Sequence, residues 1–262
     1  MTLLIDIGNT ALKWTVTDAA GAPGPVKVEH HRGTNDLAAR LGSAWRDVPR
    51  GGAAFGCSVA AGATRTAVEV AARVRGMNIE WLRSEPRYAG EFVLLNGYRN
   101  PTQLGADRWH GMLGACQRVP RRSFVLVAAG TATTIDCVEV SDGQARFVGG
   151  CIAPGQRLML DALANQTAGL PQADGAAVDF PDTTDDAITT GVRDAQAGLI
   201  ERFVRRFGRR LGQVPAVLIS GGDAELVAAR LQGGEFELSI EHNLVLAGLA
   251  VRVRALRPAI DQ

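Results

Sequence analysis

Leu3-Leu4-Ile5-Asp6-Ile7-Gly8-Asn9-Thr10-Ala11-Leu12-Lys13-Trp14 is the stretch on which the fold turns. An apolar run carrying one carboxylate ends at Gly8, and an alternating stretch from Leu12 to Val16 leads away again, which is the pattern of a β-hairpin. Two readings fit the turn. One is an ordinary hairpin with a solvated aspartate. The other is a phosphate cradle: Gly8 lets backbone N–H groups approach an anion, Asn9 and Thr10 add short polar groups, Lys13 adds charge, and Asp6 faces a Mg²⁺ ion.

The pattern returns 122 residues later. Placing Gly8 on Gly130 lays Leu3, Leu4 and Ile5 on Val125, Leu126 and Val127, and Val16 on Val138. Gly130-Thr131-Ala132-Thr133-Thr134-Ile135-Asp136 is again a glycine followed by hydroxyls, and Ser141-Asp142-Gly143 turns into a further strand. Two related halves follow, taken as 1–117 and 118–262, and one nucleotide held by two phosphate-binding turns explains both. The repeat is not perfect, because Ala128 stands where the first half has Asp6.

The chain has 262 residues, 46% of them hydrophobic, enough for one large or two modest cores. Twenty-eight basic and 27 acidic residues leave a net charge of +1, which argues against a general binder of nucleic acid or membrane surfaces. Arginine clusters at Arg121-Arg122 and Arg205 to Arg210 read as solvated helix ends or loops. Cys57, Cys116, Cys137 and Cys151 form no C-x-x-C pair, and the four histidines show no metal-ligand spacing. With neither a signal sequence nor a run of 18 apolar residues, a cytoplasmic protein with no membrane span is expected.

After the first hairpin, periodicity predicts a third strand at Val26–His31, a helix over Asn35–Trp45 capped by Asn35 or Thr34, a strand Ala53–Val59, a helix Thr64–Arg75 and a strand Ile79–Leu82. Leu104-Gly105-Ala106-Asp107-Arg108 leads into a helix reaching Gln117. Asp107 at its start suits an N-cap; the same carboxylate beside Arg108 also suits a base and a charge clamp for a substrate. In the second half, Gly149 to Gly155 brings backbone close to a ligand or to other backbone, and a helix Gln156–Leu163 follows. A long polar loop then runs to Thr184. The helix Asp185–Phe207 carries a broad stripe of Ile188, Val192, Leu199, Phe203 and Val204, with Ala195 and Gly198 small enough for close approach. It serves either a dimer surface or the core. Val217 to Asp223 reads as strand, glycine turn and helix start, a site for a phosphate or a flat ring or simply a tight turn. A closing helix covers Asn243–Leu256, with Leu244, Ala247, Gly248 and Val251 inward.

Six motifs occur in order: Asp-Ile-Gly-Asn-Thr from Asp6, Gly-Ala-Asp-Arg-Trp from Gly105, Gly-Thr-Ala-Thr-Thr-Ile-Asp from Gly130, Gly-Gly-Cys-Ile-Ala-Pro-Gly from Gly149, Thr-Ala-Gly-Leu-Pro from Thr167, and Ile-Ser-Gly-Gly-Asp from Ile219. Together they resemble the type III pantothenate kinases. That resemblance implies an α/β fold of the actin, Hsp70 and sugar-kinase superfamily: two related actin-like, ribonuclease H-like domains with ATP in the cleft between them. It implies transfer of the γ-phosphoryl group of ATP to pantothenate, the first committed step towards coenzyme A, by a homodimer with its pantothenate site near the subunit interface.

Carried over residue by residue, the resemblance makes Asp107 the base on the acceptor hydroxyl. Asp6, Ile7, Gly8, Asn9, Thr10, Ala11, Leu12 and Lys13 hold the phosphates, and Asp6 also holds the Mg²⁺. Thr131 touches ATP, and Gly221 and Gly222 face the adenosine. Tyr98, Gly105, Ala106, Asp107, Arg108 and Thr184 surround pantothenate. The family's second turn carries an aspartate that binds K⁺ or NH₄⁺; Ala128 takes that place here, so activity independent of those ions is expected. The rival readings are another small-molecule kinase of the superfamily and a non-catalytic regulatory relative.

Overall fold

The computed structural model describes residues 1–31, 36–60, 62–231 and 233–260, with the side chains of 257–260 outside that description. Two compact units emerge: Met1–Pro120 with Gly143–Ala145 and Asn243–Gln262, and Arg121–Asp142 with Arg146–His242.

The first unit begins with β1 (Thr2–Ile7), β2 (Ala11–Val16), β3 (Lys27–His30), α1 (Leu37–Ala44), β4 (Ala53–Ser58), α2 (Gly62–Val74) and β5 (Ile79–Trp81). A hairpin of β6 (Arg87–Ala89) and β7 (Val93–Asn96), a 3₁₀ turn at Pro101–Gln103 and α3 (Ala106–Arg118) complete its leading segment. Its sheet runs β3-β2-β1-β4-β5. β2 is antiparallel to β1 and to β3, whereas β4 and β5 join in parallel after helical crossovers. Alternation along β1 divides its side chains between two cores. Leu3, Ile5 and Ile7 pack with Leu41, Trp45 and Val68 on the side of α1 and α2. Leu4 packs with Phe55 and Cys57 on the opposite side.

The second unit holds β8 (Phe124–Ala129), β9 (Ala132–Ser141), β10 (Gln144–Pro154), α4 (Gln156–Gln166), α5 (Thr184–Leu211), β11 (Ala216–Ser220), α6 (Ala224–Arg230) and β12 (Leu238–Ile240). Its strands run β10-β9-β8-β11-β12, with β9 antiparallel to β8 and with β11 and β12 parallel. That is the order of the first sheet, so the repeat read from the sequence is a repeat of topology. One equivalence needs correction. Leu3 faces Val16 and Val125 faces Cys137, so the partner of Val16 in the repeat is Cys137, not Val138. The cause is turn length: Gly8 N–H reaches Ala11 O, whereas Gly130 N–H reaches Ala132 O, one residue sooner.

The expected caps of α1, Thr34 and Asn35, lie outside the described residues; Asp36 occupies the N-cap position. Helix α5 is longer than its apolar stripe suggested. Thr183 caps it by accepting from the Asp186 N–H, Asp185 and Asp186 meet the positive end of its dipole, and Gly212 stops it at φ 69°. Its stripe serves the core: Ile188, Val192 and Val204 are buried, and Leu199 and Phe203 pack against the buried cluster of the second unit.

Helix α7 (Leu244–Ile260) follows the second unit in sequence but packs in the first, setting Leu246, Leu249 and Val253 against Leu4 and Phe55. It crosses α3 at two glycines. A Cβ on Gly248 would stand 1.8 Å from His110 O, and one on Gly114 would stand 2.2 Å from Leu244 O. No residue with a side chain fits at that crossing, which fixes α3 and hence the position of its N-terminal Asp107.

Candidate active site

Asp6 is the second-last residue of β1, paired with Lys13 on β2 and with Cys57 on β4, so the three side chains share one face at the C-terminal end of parallel strands. Open α/β sheets bind ligands beyond that end. Burial, and then the nearby Asp107 carboxylate, push the Asp6 carboxyl up to about 6, while Lys13 and a hydrogen bond from the Cys57 thiol pull the other way. Cys57 Sγ donates to Asp6 Oδ1 over 3.6 Å, and burial holds the thiol well above its ordinary pKa.

Helix α3 delivers the second carboxylate. Gly105 occupies the N-cap position without a capping side chain, and Asp107 Oδ1 accepts from the Arg108 backbone N–H at 2.8 Å. A Cβ on Gly105 would approach Asp107 Oδ1 to 2.6 Å, so glycine is needed for the carboxylate to fold over the helix start. Burial raises the Asp107 pKa above the usual carboxylate range, against the opposing pull of the Arg108 N–H and guanidinium. Arg108 Nη1 donates to the Tyr98 hydroxyl at 2.9 Å, and its guanidinium lies 5.6 Å from the centre of that ring. Tyr98 is set by an Asx turn in which Asn96 Oδ1 accepts from the Tyr98 N–H. Asp6, Lys13, Asp107, Arg108 and Tyr98, far apart in sequence, thus meet in the first unit as two facing carboxylates, a lysine and an anchored guanidinium.

In the second unit, two elements are tied to the turn Ala129–Thr131. Gly155, just before α4, donates to Thr131 O at 3.0 Å, and Asp223 donates its N–H to Ala129 O at 3.2 Å. Gly221 has φ 108°, and a Cβ there would stand 1.9 Å from Ala129 O; Gly222 faces open space. Gly221 is therefore required by the backbone, whereas nothing within the chain demands Gly222. A cavity of about 190 Å³ opens beside Asp223, lined also by Gln156, Arg193 and Leu226.

Residues 2–206 match the family model described as type III pantothenate kinase. The chain belongs to the type III pantothenate kinases. A protein of that name from Laribacter hongkongensis (strain HLHK9) is 41% identical over 250 residues, covering 95% of this chain and 97% of that protein. Another from Verminephrobacter eiseniae (strain EF01-2) is 38% identical over 251 residues, covering 94% of each. Among solved structures, a putative 2-dehydro-3-deoxygalactonokinase from Sinorhizobium meliloti superposes with a TM-score of 0.57 at 15% identity, over 99% of both chains. That likeness is one of fold.

The donors around Asp6 suit Mg²⁺. Among the described residues no group of three or more His, Cys, Asp and Glu could hold a metal, so an ion beside Asp6 would need its other ligands from phosphate and water, as Mg²⁺ usually does. The nearness of the Asp6 and Asp107 carboxylates also favours a cation. A monovalent ion held by a carboxylate does not fit the second turn: Ala128 is flanked across the sheet by Thr134 and Ser220, a methyl between two hydroxyl side chains. Thr184 belongs to the second unit, where it opens α5 and lines a groove of about 640 Å³ with Met159, Leu163, Leu170 and Ile188. Sequence reasoning missed Cys57, because no local signal marks its pairing with Asp6 on a strand 51 residues away. No helix among the described residues is long and apolar enough to cross a membrane.

Proposed function

We propose that this chain transfers the γ-phosphoryl group of ATP to the primary hydroxyl of pantothenate, giving 4′-phosphopantothenate for coenzyme A synthesis. The observation that carries the reading is the meeting of Asp6, Asp107 and the Tyr98-anchored Arg108 in a member of the type III pantothenate kinase family. Phosphoryl transfer asks mainly for alignment and charge stabilisation. Asp107 orients the acceptor hydroxyl and accepts its proton late, because a carboxylate is too weak a base to remove it at the outset. Arg108, its donor fork steadied by Tyr98, supplies the charge that an acceptor bearing a carboxylate needs. The turn from Asp6 to Lys13 and Thr131 of the second turn hold phosphate oxygens. The Gly221-Gly222 turn faces the adenosine, with the cavity at Asp223 open to the base. Asp6 would hold a hydrated Mg²⁺, which when bound neutralises phosphate charge. No step is assigned to a monovalent cation. The four free cysteines suit a cytoplasmic setting.

Thermal unfolding tests the substrate class. The midpoint should rise with pantothenate and with Mg·ATP and stay unchanged with a panel of sugars. Stabilisation by a sugar and not by pantothenate would transfer the activity to another kinase of the superfamily.

The family resemblance and the groove at Thr184 together support a homodimer. On α5, Ala187, Gly191, Ala195 and Gly198 are exposed and small, beside the groove between α4 and α5. Leu199 packs on the core and is a poor probe of that surface. Gly191 faces open space, so Gly191→Glu adds charge without an internal clash. Sedimentation should show a dimeric wild type and a folded, monomeric variant; a wild type that is monomeric at micromolar concentration rejects the dimer.

A further inference from the structure

Phosphate oxygens are acceptors and call for N–H donors in direct contact, whereas a hairpin turn offers as many carbonyls as N–H groups. In the turn Gly8-Asn9-Thr10 the first and last carbonyls meet one residue. His31 Nε2 lies 2.9 Å from Gly8 O, and the His31 backbone N–H donates to Thr10 O at 3.2 Å. Both carbonyls are acceptors only, so the ring must carry its proton on Nε2 to make the first bond. His31 stands just beyond β3, whose register sets His30 opposite Ala11, and only 8% of its surface is exposed. The Gly8 carbonyl and the Asn9 N–H share one rigid peptide plane and point in opposite directions. Holding the carbonyl against His31 therefore turns the Asn9 N–H to the other side. Glycine at position 8 leaves this plane with little steric restraint of its own, so the restraint has to come from outside the turn.

We propose that His31 is a positioning residue for nucleotide binding: it draws the carbonyls of Gly8 and Thr10 aside and thereby presents the turn's N–H groups to the phosphates of ATP. The inference rests on the reading of this turn as a phosphate cradle. It adds a residue that no motif contains, and it assigns His31 no contact with substrate and no part in proton transfer.

Two substitutions separate the hydrogen bond from the space the ring fills. His31→Leu keeps the bulk and removes the donor; His31→Gln carries an amide N–H to about the place of Nε2. Calorimetry with ADP, which needs no turnover, should show roughly tenfold weaker binding to the His31→Leu protein and binding within about twofold of wild type for His31→Gln, the change expected for one oriented hydrogen bond. The KM for pantothenate should be the same in all three. Equal ADP affinity in the wild type and His31→Leu overturns the proposal. So does a parallel loss for ADP and pantothenate that glutamine fails to restore, which would mark His31 as packing alone. If neither variant folds, ¹⁵N resonances of the wild-type ring in the ADP complex decide: an Nε2–H tautomer agrees, and a proton on Nδ1 alone overturns. A wild type that binds no ADP refutes the nucleotide reading of the turn itself, and this inference with it.

Discussion

Asp107→Asn should lower kcat by a factor of roughly 10² to 10⁴ while leaving ATP affinity nearly unchanged and the unfolding temperature no lower than wild type. The two roles open to this residue separate cleanly in that variant. Its Oδ1 accepts from the Arg108 N–H at the start of α3, and an asparagine oxygen does so equally well, so the helix start persists. Only the ability to take a proton from the acceptor hydroxyl is lost. Burial already holds the carboxyl above its ordinary pKa, which strengthens it as an acceptor without neutralising Arg108 beside it. Steady-state rates with pantothenate and Mg·ATP, run beside a melting curve, make the comparison. Turnover near wild type would leave Asp107 as a helix-terminal residue and nothing more.

Asp6→Asn should raise stability and do similar harm to activity. The carboxyl of Asp6 titrates at about 6 in the folded chain against 3.8 ordinarily, first because it is buried and then because Asp107 faces it. The folded state thus holds this proton more tightly than the unfolded one. The cost of the buried charge is absent below the ordinary value, grows as pH rises through the interval between the two values, and is fully present above about 6. At pH 7.5, without ligands, the variant should therefore be more stable than the wild type by roughly 1–2 kcal/mol, allowing for partial exposure of the group, and the two should converge near pH 4. Titrating Mg²⁺ against initial rate should show kcat/KM for Mg·ATP reduced by about 10² or more, because an amide is a poor ligand for a hard cation. An unchanged Mg²⁺ dependence together with unchanged stability would make Asp6 an ordinary strand residue.

The hairpins at Gly8 and Gly130 were legible because alternation with a period of two, broken by a glycine, is a local signal. Their common strand order follows the same repeat and bears out two related α/β units. What local signals cannot carry is register: the second turn is one residue shorter, which shifted the equivalence of Val16. β6 and β12, at three residues each, are too short for periodicity to reveal. The stripe on α5 was visible, but a pattern of apolar residues does not say which partner covers it, and here Leu199 and Phe203 meet the core. At the site, residue types announced themselves through glycine-flanked carboxylates. The proximity of Asp6 to Asp107, the thiol of Cys57 on Asp6 and the ring of His31 on Gly8 all depend on pairings between distant segments, for which one sequence holds no local cue.

The route by which α7 returns to the first unit sets a timetable for the nascent chain. Leu4, Phe55 and the glycine face of α3 are covered by a helix that the ribosome makes only after the whole second unit. At ordinary elongation rates the delay between α3 and α7 is on the order of ten seconds. During that interval the emerging first half carries an uncovered apolar face and a helix with no backbone to nest against at Gly114. The unit that bears Asp6 and Asp107 can finish folding only after the other unit has left the ribosome, even though most of its own residues come first.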